Sequence, residues 1–222
     1  MANAPIERQG MMMVISSPSG AGKTSISRGM IAQECSDHLM LSVSATTRPR
    51  RPFEIEGVHY HFMDKAQFDR LCQRHAFLEH AHVYGYHYGT LKEPVTSSLQ
   101  KGQDVLFDID WQGAQALKRH HPHHTVSLFI LPPSLKALEQ RLKKREHEGE
   151  SQDNSAYRLQ HAEQDIARWR HYDYVLINDD LSEAIAQARA ILAAERLKRQ
   201  RLIGMESWIH TLHTIPSQQR KG

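Results

Sequence analysis

Cysteine is scarce in this sequence. Cys35 and Cys72 are its only two, and neither stands in a metal-type spacing. Two thiols in a chain of 222 residues do not build a disulfide scaffold, so both are expected reduced, as buried or half-buried side chains. Long apolar runs are missing as well. Nothing approaches the roughly 20 residues that span a bilayer, and the patch Met11 to Ile15 is too short for the core of a signal peptide. No membrane partner and a cytoplasmic location are therefore expected. Charge of one sign is also lacking: 28 Lys and Arg face 25 Asp and Glu, a net +3 that suits an anionic ligand without requiring one. The basic stretch Arg196 to Arg201 reads as the solvated face of a helix, so no nucleic-acid partner is expected. No internal repeat is visible. Histidine, by contrast, is plentiful. His120, His121, His123 and His124 cluster around Pro122, and they read as an exposed loop rather than a metal site.

What remains is ordinary for a globular protein, 40% hydrophobic and 24% charged. Met11-Met12-Met13-Val14-Ile15 has the length of a buried strand. A Ser, Pro and Gly loop follows, and Ile26, Met30 and Ile31 then recur at helical spacing over 24–34. Strand, glycine-rich loop and helix open an α/β unit. Residues 41–88 differ in texture. Short β-forming pieces at 41–44, 58–62 and 82–84, with one helix over 65–74, predict a small, partly antiparallel insertion. The main pattern resumes with strands at 104–110, 126–131 and 174–177. Helices are predicted to 145 after an N-cap at Ser134, over 156–170 and over 181–200. Strands alternating with helices predict an α/β fold, a parallel sheet flanked by helices on both faces. Residues 1–9 are expected as a disordered tail. The segment after Ile203 carries a weak helical stripe at Trp208, Ile209 and Leu212.

The sharpest motif is Ser17-Pro18-Ser19-Gly20-Ala21-Gly22-Lys23-Thr24. It resembles the phosphate-binding loop G-x-x-x-x-G-K-[ST], with Ser17 in the first glycine position. Gly20 and Gly22 let the backbone curl until successive N–H groups form an anion nest. The helix that follows adds its positive end. Lys23 brings a full charge to the β- and γ-phosphates, and the Thr24 hydroxyl suits Mg²⁺. A strand before the loop and a helix after it supply the context that separates this from an incidental Gly-rich turn. The motif implies a nucleoside triphosphate and leaves the acceptor open.

Arg48, Arg50 and Arg51 fall within Thr46-Thr47-Arg48-Pro49-Arg50-Arg51-Pro52. Guanidinium forks match phosphate oxygens two at a time. Tyr60, Tyr84, Tyr86 and Tyr88 can add phenolic donors. A solvated basic turn and ordinary packing tyrosines are the competing readings. Glu79 stands in Phe77-Leu78-Glu79-His80-Ala81. A carboxylate accepting two parallel bonds suits guanine, whose N1–H and N2–H₂ point the same way, whereas adenine presents an acceptor at N1. An exposed helix-end carboxylate is the alternative.

These segments occur in family order with Ser42-Val43-Ser44-Ala45, Tyr88-Gly89-Thr90, Asp108-Ile109-Asp110-Trp111-Gln112-Gly113, Phe129-Ile130-Leu131-Pro132-Pro133 and Ile177-Asn178-Asp179-Asp180. From Met11 to Ala194 the chain resembles the bacterial-type guanylate kinases. The resemblance implies transfer of the γ-phosphoryl group of ATP to GMP and dGMP, with Mg²⁺ as cofactor, in purine nucleotide metabolism. It implies ATP phosphates on residues 17–24. It puts the acceptor phosphate on Arg48, Arg51, Tyr60 and Tyr88, and the guanine on Ser44, Glu79 and Asp110 with Thr90 nearby. Thr24 and Asp108 would hold Mg²⁺, partly through water. Arg141, Arg145 and Arg158 match the family's lid arginines and, with Lys23 and Arg48, make up the catalytic set.

In the family's terms, residues 10–43 and 96–203 are the core, 44–95 a β-rich GMP-binding insertion, about 141–158 a mobile helical lid, and 204–222 a C-terminal extension. The chain departs from the pattern at Ser17, at Phe53 (a glycine in the family), and in a longer lid where Glu146 rather than glycine follows Arg145. Rival readings are another acceptor, such as AMP, dTMP or shikimate, and a non-catalytic scaffold. Lys23, Thr24 and Asp108 argue against the scaffold. Oligomeric state stays open, a homo-oligomer included.

Overall fold

The computed structural model describes residues 6–34, 38–83, 85–147, 159, 162 and 164–213. Its strands are β1 (Glu7–Arg8), β2 (Met12–Ser16), β3 (Leu39–Leu41), β4 (Ser44–Thr46), β5 (His61–Phe62), β6 (Phe77–Val83), β7 (Tyr86–Leu91), β8 (Asp104–Asp108), β9 (Thr125–Leu131), β10 (Tyr174–Ile177) and β11 (Leu202–Ile203). Its α-helices are α1 (Lys23–Ala32), α2 (Lys65–Gln73), α3 (Lys92–Gln100), α4 (Trp111–His120), α5 (Leu135–His147), α6 (Leu181–Arg196) and α7 (Met205–His213).

The central sheet runs β10-β9-β2-β8-β3 with every pair parallel. β2 is buried at each position, as a strand covered on both faces must be. Alternation divides its side chains. Met11, Met13 and Ile15 join Ile26 and Met30 of α1 and Ile185, Ala188 and Leu192 of α6. Met12 and Val14 face the other way, toward Val95 of α3 and Ala114 and Leu117 of α4. The helices thus cover both faces. β2 comes first in the sheet's chain order yet lies between β8 and β9. Such a reversal of strand order opens a crevice at the carboxyl ends of the strands, where ligands bind in open α/β sheets.

A second sheet, β5-β4-β7-β6, is mainly antiparallel; only β4 and β5 run parallel. The chain leaves the central sheet at Leu41 and enters this one at Ser44, so the single piece expected over 41–44 is divided between two sheets. The strand expected over 58–62 shortens to His61–Phe62. Residues 55–59 form a tight turn instead, with His59 N donating to Ile55 O at 3.0 Å and Gly57 at a φ of 72°. α3 and α4 carried no expectation. Pro94 lies in the first turn of α3, where its missing N–H costs nothing, and the buried stripe of α4 is short, only Gly113, Ala114 and Leu117. The helix predicted to 200 ends at Arg196, where Arg201 folds back to donate to Glu195 O at 2.9 Å. Ser134 caps α5 as predicted, its Oγ accepting from Ala137 N at 3.1 Å. Of the helix predicted over 156–170, the described part ends in a 3-10 turn, Ala167–His171.

The disordered tail expected over 1–9 is corrected at Glu7 and Arg8. They pair antiparallel with Ile203 and Leu202. Asp104, fully buried at the start of β8, explains why. A buried carboxylate needs partners, and Asp104 takes Arg8 Nη1 at 2.5 Å, Arg196 Nε at 2.7 Å and Met11 N at 3.0 Å. Cys72 is free and half-buried; Cys35 and Tyr84 lie outside the described residues. The histidines expected as a loop fall at the end of α4 and in the turn after it, and no metal-type cluster occurs among the described residues.

Candidate active site

The phosphate loop leaves β2 at Ser16, whose Oγ donates to Ile109 O at 3.0 Å. Gly20 and Gly22 take φ values of 88° and 103°, the left-handed region open to glycine. A Cβ at Gly22 would also stand 2.1 Å from Asn178 Nδ2. α1 begins at Lys23, so its unpaired first-turn N–H groups face the loop. The Lys23 ammonium pairs with the carboxylate of Asp108 at the end of the neighbouring strand β8. Thr24, the next residue, is exposed. Behind the loop, Asn178 Nδ2 donates to Ala21 O at 2.7 Å. Arg141 reaches Asn178 O at 3.0 Å and Ala21 O at 3.4 Å. Arg141, expected among the lid arginines, is thereby tied to the phosphate loop; like Arg48 and Arg51 it stands outside the cavity lining. The side chain of Arg145, and Arg158 altogether, lie outside the described residues.

The second sheet forms the facing wall. Phe77 pairs with Leu91 and Glu79 with Thr90, so β6 carries an extra residue at Leu78. Such a bulge re-aims the side chain beside it. Ser44, Thr90 and Glu79 become direct neighbours across β4, β7 and β6. Thr90 Oγ1 donates to Glu79 Oε1 at 2.7 Å, and the Ser44 and Thr90 hydroxyls are 3.5 Å apart. Glu79 is 6% exposed. Burial pushes its carboxyl up to about 7, and the nearby Asp110 adds to the rise. Asp110 caps α4, accepting from Gly113 N at 3.0 Å, and burial raises it too.

The arginine turn sits beside this wall. Arg48 Nη2 donates to Glu54 Oε1 at 2.6 Å, and its guanidinium lies 5.3 Å from the centre of the Tyr60 ring. Glu54 Oε2 accepts from Arg51 N at 2.9 Å. The Tyr60 and Tyr88 rings are 6.0 Å apart. Phe53 is exposed, and the turn it occupies closes through Glu54 N donating to Arg51 O at 3.1 Å.

Between the two walls lies a cavity of about 310 Å³, at the lower end of the small-ligand range. The loop residues Ser17, Pro18, Ser19, Gly20 and Gly22 line one side with Lys23 and Thr24. Ser44, Tyr60, Glu79 and Tyr88 line the other, and Asp108 and Asp110 lie between. Of the expected loop residues, only Ala21 turns away. Thr90 stands behind Glu79. One wall offers anion-binding groups; the other offers a buried carboxylate able to accept from a ligand's N–H groups. Glu54 and Asn178 carried no sequence assignment. The signal for Glu54 is its position in the arginine turn, three residues after Arg51, within reach of two cations.

Comparison with known proteins gives one answer. The family model described as guanylate kinase matches residues 9–195. The guanylate kinase of Rhizobium etli is 49% identical over 207 residues, 93% of this chain and 92% of its own. That of Sphingopyxis alaskensis is 48% identical over 217 residues, 97% of both chains. The crystal structure of guanylate kinase from Anaplasma phagocytophilum superposes with a TM-score of 0.78 at 32% identity, covering 95% of this chain and 99% of that one. The chain belongs to the guanylate kinase family.

Proposed function

We propose that the protein transfers the γ-phosphoryl group of ATP to GMP, and to dGMP, giving ADP and GDP (or dGDP). The observation that carries this reading is a phosphate loop and a buried acceptor carboxylate facing each other across one cavity. The loop N–H groups and Lys23 take the triphosphate. Arg48, Arg51, Tyr60 and Tyr88 take the acceptor phosphate. Glu79 accepts the guanine N1–H and N2–H₂, with Ser44, Thr90 and Asp110 around it. The second ionisation of a monophosphate falls near 6, so the attacking oxygen is anionic at neutral pH and needs no general base. That oxygen bonds to the γ-phosphorus as the bond to the β-bridging oxygen breaks, and ADP leaves. The protein's task is alignment and neutralisation. Arg145 and Arg158 are proposed as further cations on the moving group, with Arg141 fixing the loop from behind.

Thr24 and Asp108 offer a hydroxyl and a carboxylate at the cavity mouth. These are hard oxygen donors of the kind Mg²⁺ takes when substrate phosphates supply other ligands. When bound, Mg²⁺ would supply charge neutralisation to the transferring phosphates. No described helix is long and apolar enough to cross a membrane. We place the activity in the cytoplasm, in purine nucleotide metabolism and GMP recycling.

An ADP-release assay across GMP, dGMP, AMP, dTMP and shikimate tests the reading. GMP and dGMP should give the highest kcat/KM. Equal turnover of AMP would overturn the base assignment, and no turnover of any acceptor would overturn the activity.

A further inference from the structure

Gly113 is buried in the first turn of α4. Its φ is not positive, so an L residue could adopt the same backbone. Glycine is also a poorer helix residue than alanine. Conformation therefore does not account for it, but space does. A Cβ at this position would stand 2.7 Å from Glu79 Oε2, 3.1 Å from Glu79 Cδ and 3.0 Å from Ile109 Cδ1. Glu79 has little room to retreat. Its other oxygen accepts the Thr90 hydroxyl at 2.7 Å, and its backbone is held by pairing with Thr90. The Gly113 N–H meanwhile donates to Asp110 Oδ1 at 3.0 Å. One residue thus touches both acidic groups at the base end of the cavity.

We propose that Gly113 is a specificity-determining positioning residue. Its bare Cα face sets where the Glu79 carboxylate sits, and so which 6-oxopurine the enzyme prefers. The inference rests on the reading of Glu79 as the group that accepts the guanine N1–H and N2–H₂. A carboxylate displaced by a Cβ keeps its charge but loses registry with two parallel donors. The penalty falls on GMP more than on IMP, which lacks the 2-amino group.

The test uses the full-length enzyme as wild type, Gly113→Ala, Glu79→Asp, the double variant, and Glu79→Ala. Gly113→Ala should raise the KM for GMP roughly tenfold or more and narrow the preference for GMP over IMP. The KM for ATP should stay within about twofold, since the phosphate loop is untouched. Shortening the acid by one methylene gives the added Cβ its room, so the double variant should match Glu79→Asp alone in both KM for GMP and Tm. That last comparison decides the matter even if Gly113→Ala does not fold by itself. An unchanged KM for GMP in Gly113→Ala overturns the proposal. So does an equal rise in the KM for ATP, or a double variant worse than Glu79→Asp. If Glu79→Ala leaves GMP unaffected, the reading of Glu79 itself has failed. If Glu79→Ala weakens GMP and Gly113→Ala does not, only the role of Gly113 falls.

Discussion

The carboxylate of Glu54 holds the guanidinium of Arg48 at 2.6 Å while its second oxygen takes the backbone N–H of Arg51 at 2.9 Å. A single buried acid thereby fixes the side chain of one arginine and the main chain of the other. Charged hydrogen bonds of this kind contribute about 1.5–3 kcal/mol. Glu54→Gln should therefore raise the KM for GMP by roughly 10- to 100-fold. The KM for ATP should hardly move. Steady-state kinetics with each substrate varied in turn checks it, and parallel changes in both would argue for general loosening instead.

On the proposed assignment of Glu79, GMP binding should depend on pH. Burial raises its carboxyl from 4.5 to about 7 in the empty site, while accepting guanine N–H groups requires the anion. GMP should bind more tightly as pH rises toward 7 and level off above it. The phosphate's own ionisation near 6 contributes to that profile. Glu79→Gln removes this acid and leaves the phosphate and Asp110, so it should bind GMP weakly with a shallower rise toward 7. A wild-type profile superimposable on that of Glu79→Gln would refute the assignment.

The same carboxyl affects stability, with the opposite sign. Its folded value lies above its unfolded one, so its stabilising contribution is complete below about 4.5 and is lost as pH rises to about 7. The difference amounts to at most about 3 kcal/mol. Chemical denaturation at pH 5 and pH 8 should show Glu79→Gln gaining on the wild type at the higher pH.

Lys23→Ala removes the cation paired with Asp108 at the cavity mouth. Preorganised charge at a reacting centre contributes on the order of 100- to 1000-fold in rate. The variant should lose turnover by about that much while binding GMP within about threefold of wild type, since the acceptor wall is untouched. Single-turnover kinetics and GMP titration separate the two effects.

Asp104→Asn leaves the partly exposed Arg8 and Arg196 facing a neutral group at a fully buried position. Removing one partner from a buried ion pair costs roughly 3–5 kcal/mol. Tm should fall accordingly. Deleting residues 1–9 should reproduce part of the drop, because Arg8 and the short pairing with β11 leave together. A deletion with unchanged Tm would contradict the structural role of Arg8.

How much the sequence announced depended on whether the signal was local. The phosphate loop was legible because strand, glycines, lysine and helix follow one another without interruption. The central strands were legible because burial on both faces makes them uniformly apolar. The second sheet was harder. Its register, including the bulge that brings Glu79 opposite Thr90, depends on pairing between segments far apart in sequence. Arg141 shows the same limit. Its place in α5 was predictable, but its grip on Ala21 and Asn178 requires α5, the phosphate loop and the end of β10 to meet. The ordered Glu7 and Arg8 were missed because a two-residue pairing has no periodicity, and only the buried Asp104 gives it a purpose.

Strand β8 begins at Asp104 and ends at Asp108. The first carboxylate is buried beneath two partly exposed arginines; the second meets Lys23 in the cavity lining. Two residues of one chemical type, on one short strand, are therefore separable by assay. A lesion at Asp104 should appear as poor yield and early melting with normal turnover per folded molecule. A lesion at Asp108 should appear as an inactive protein that expresses and melts normally. Damage in a variant library should sort along this strand from folding failures at one end to chemical failures at the other.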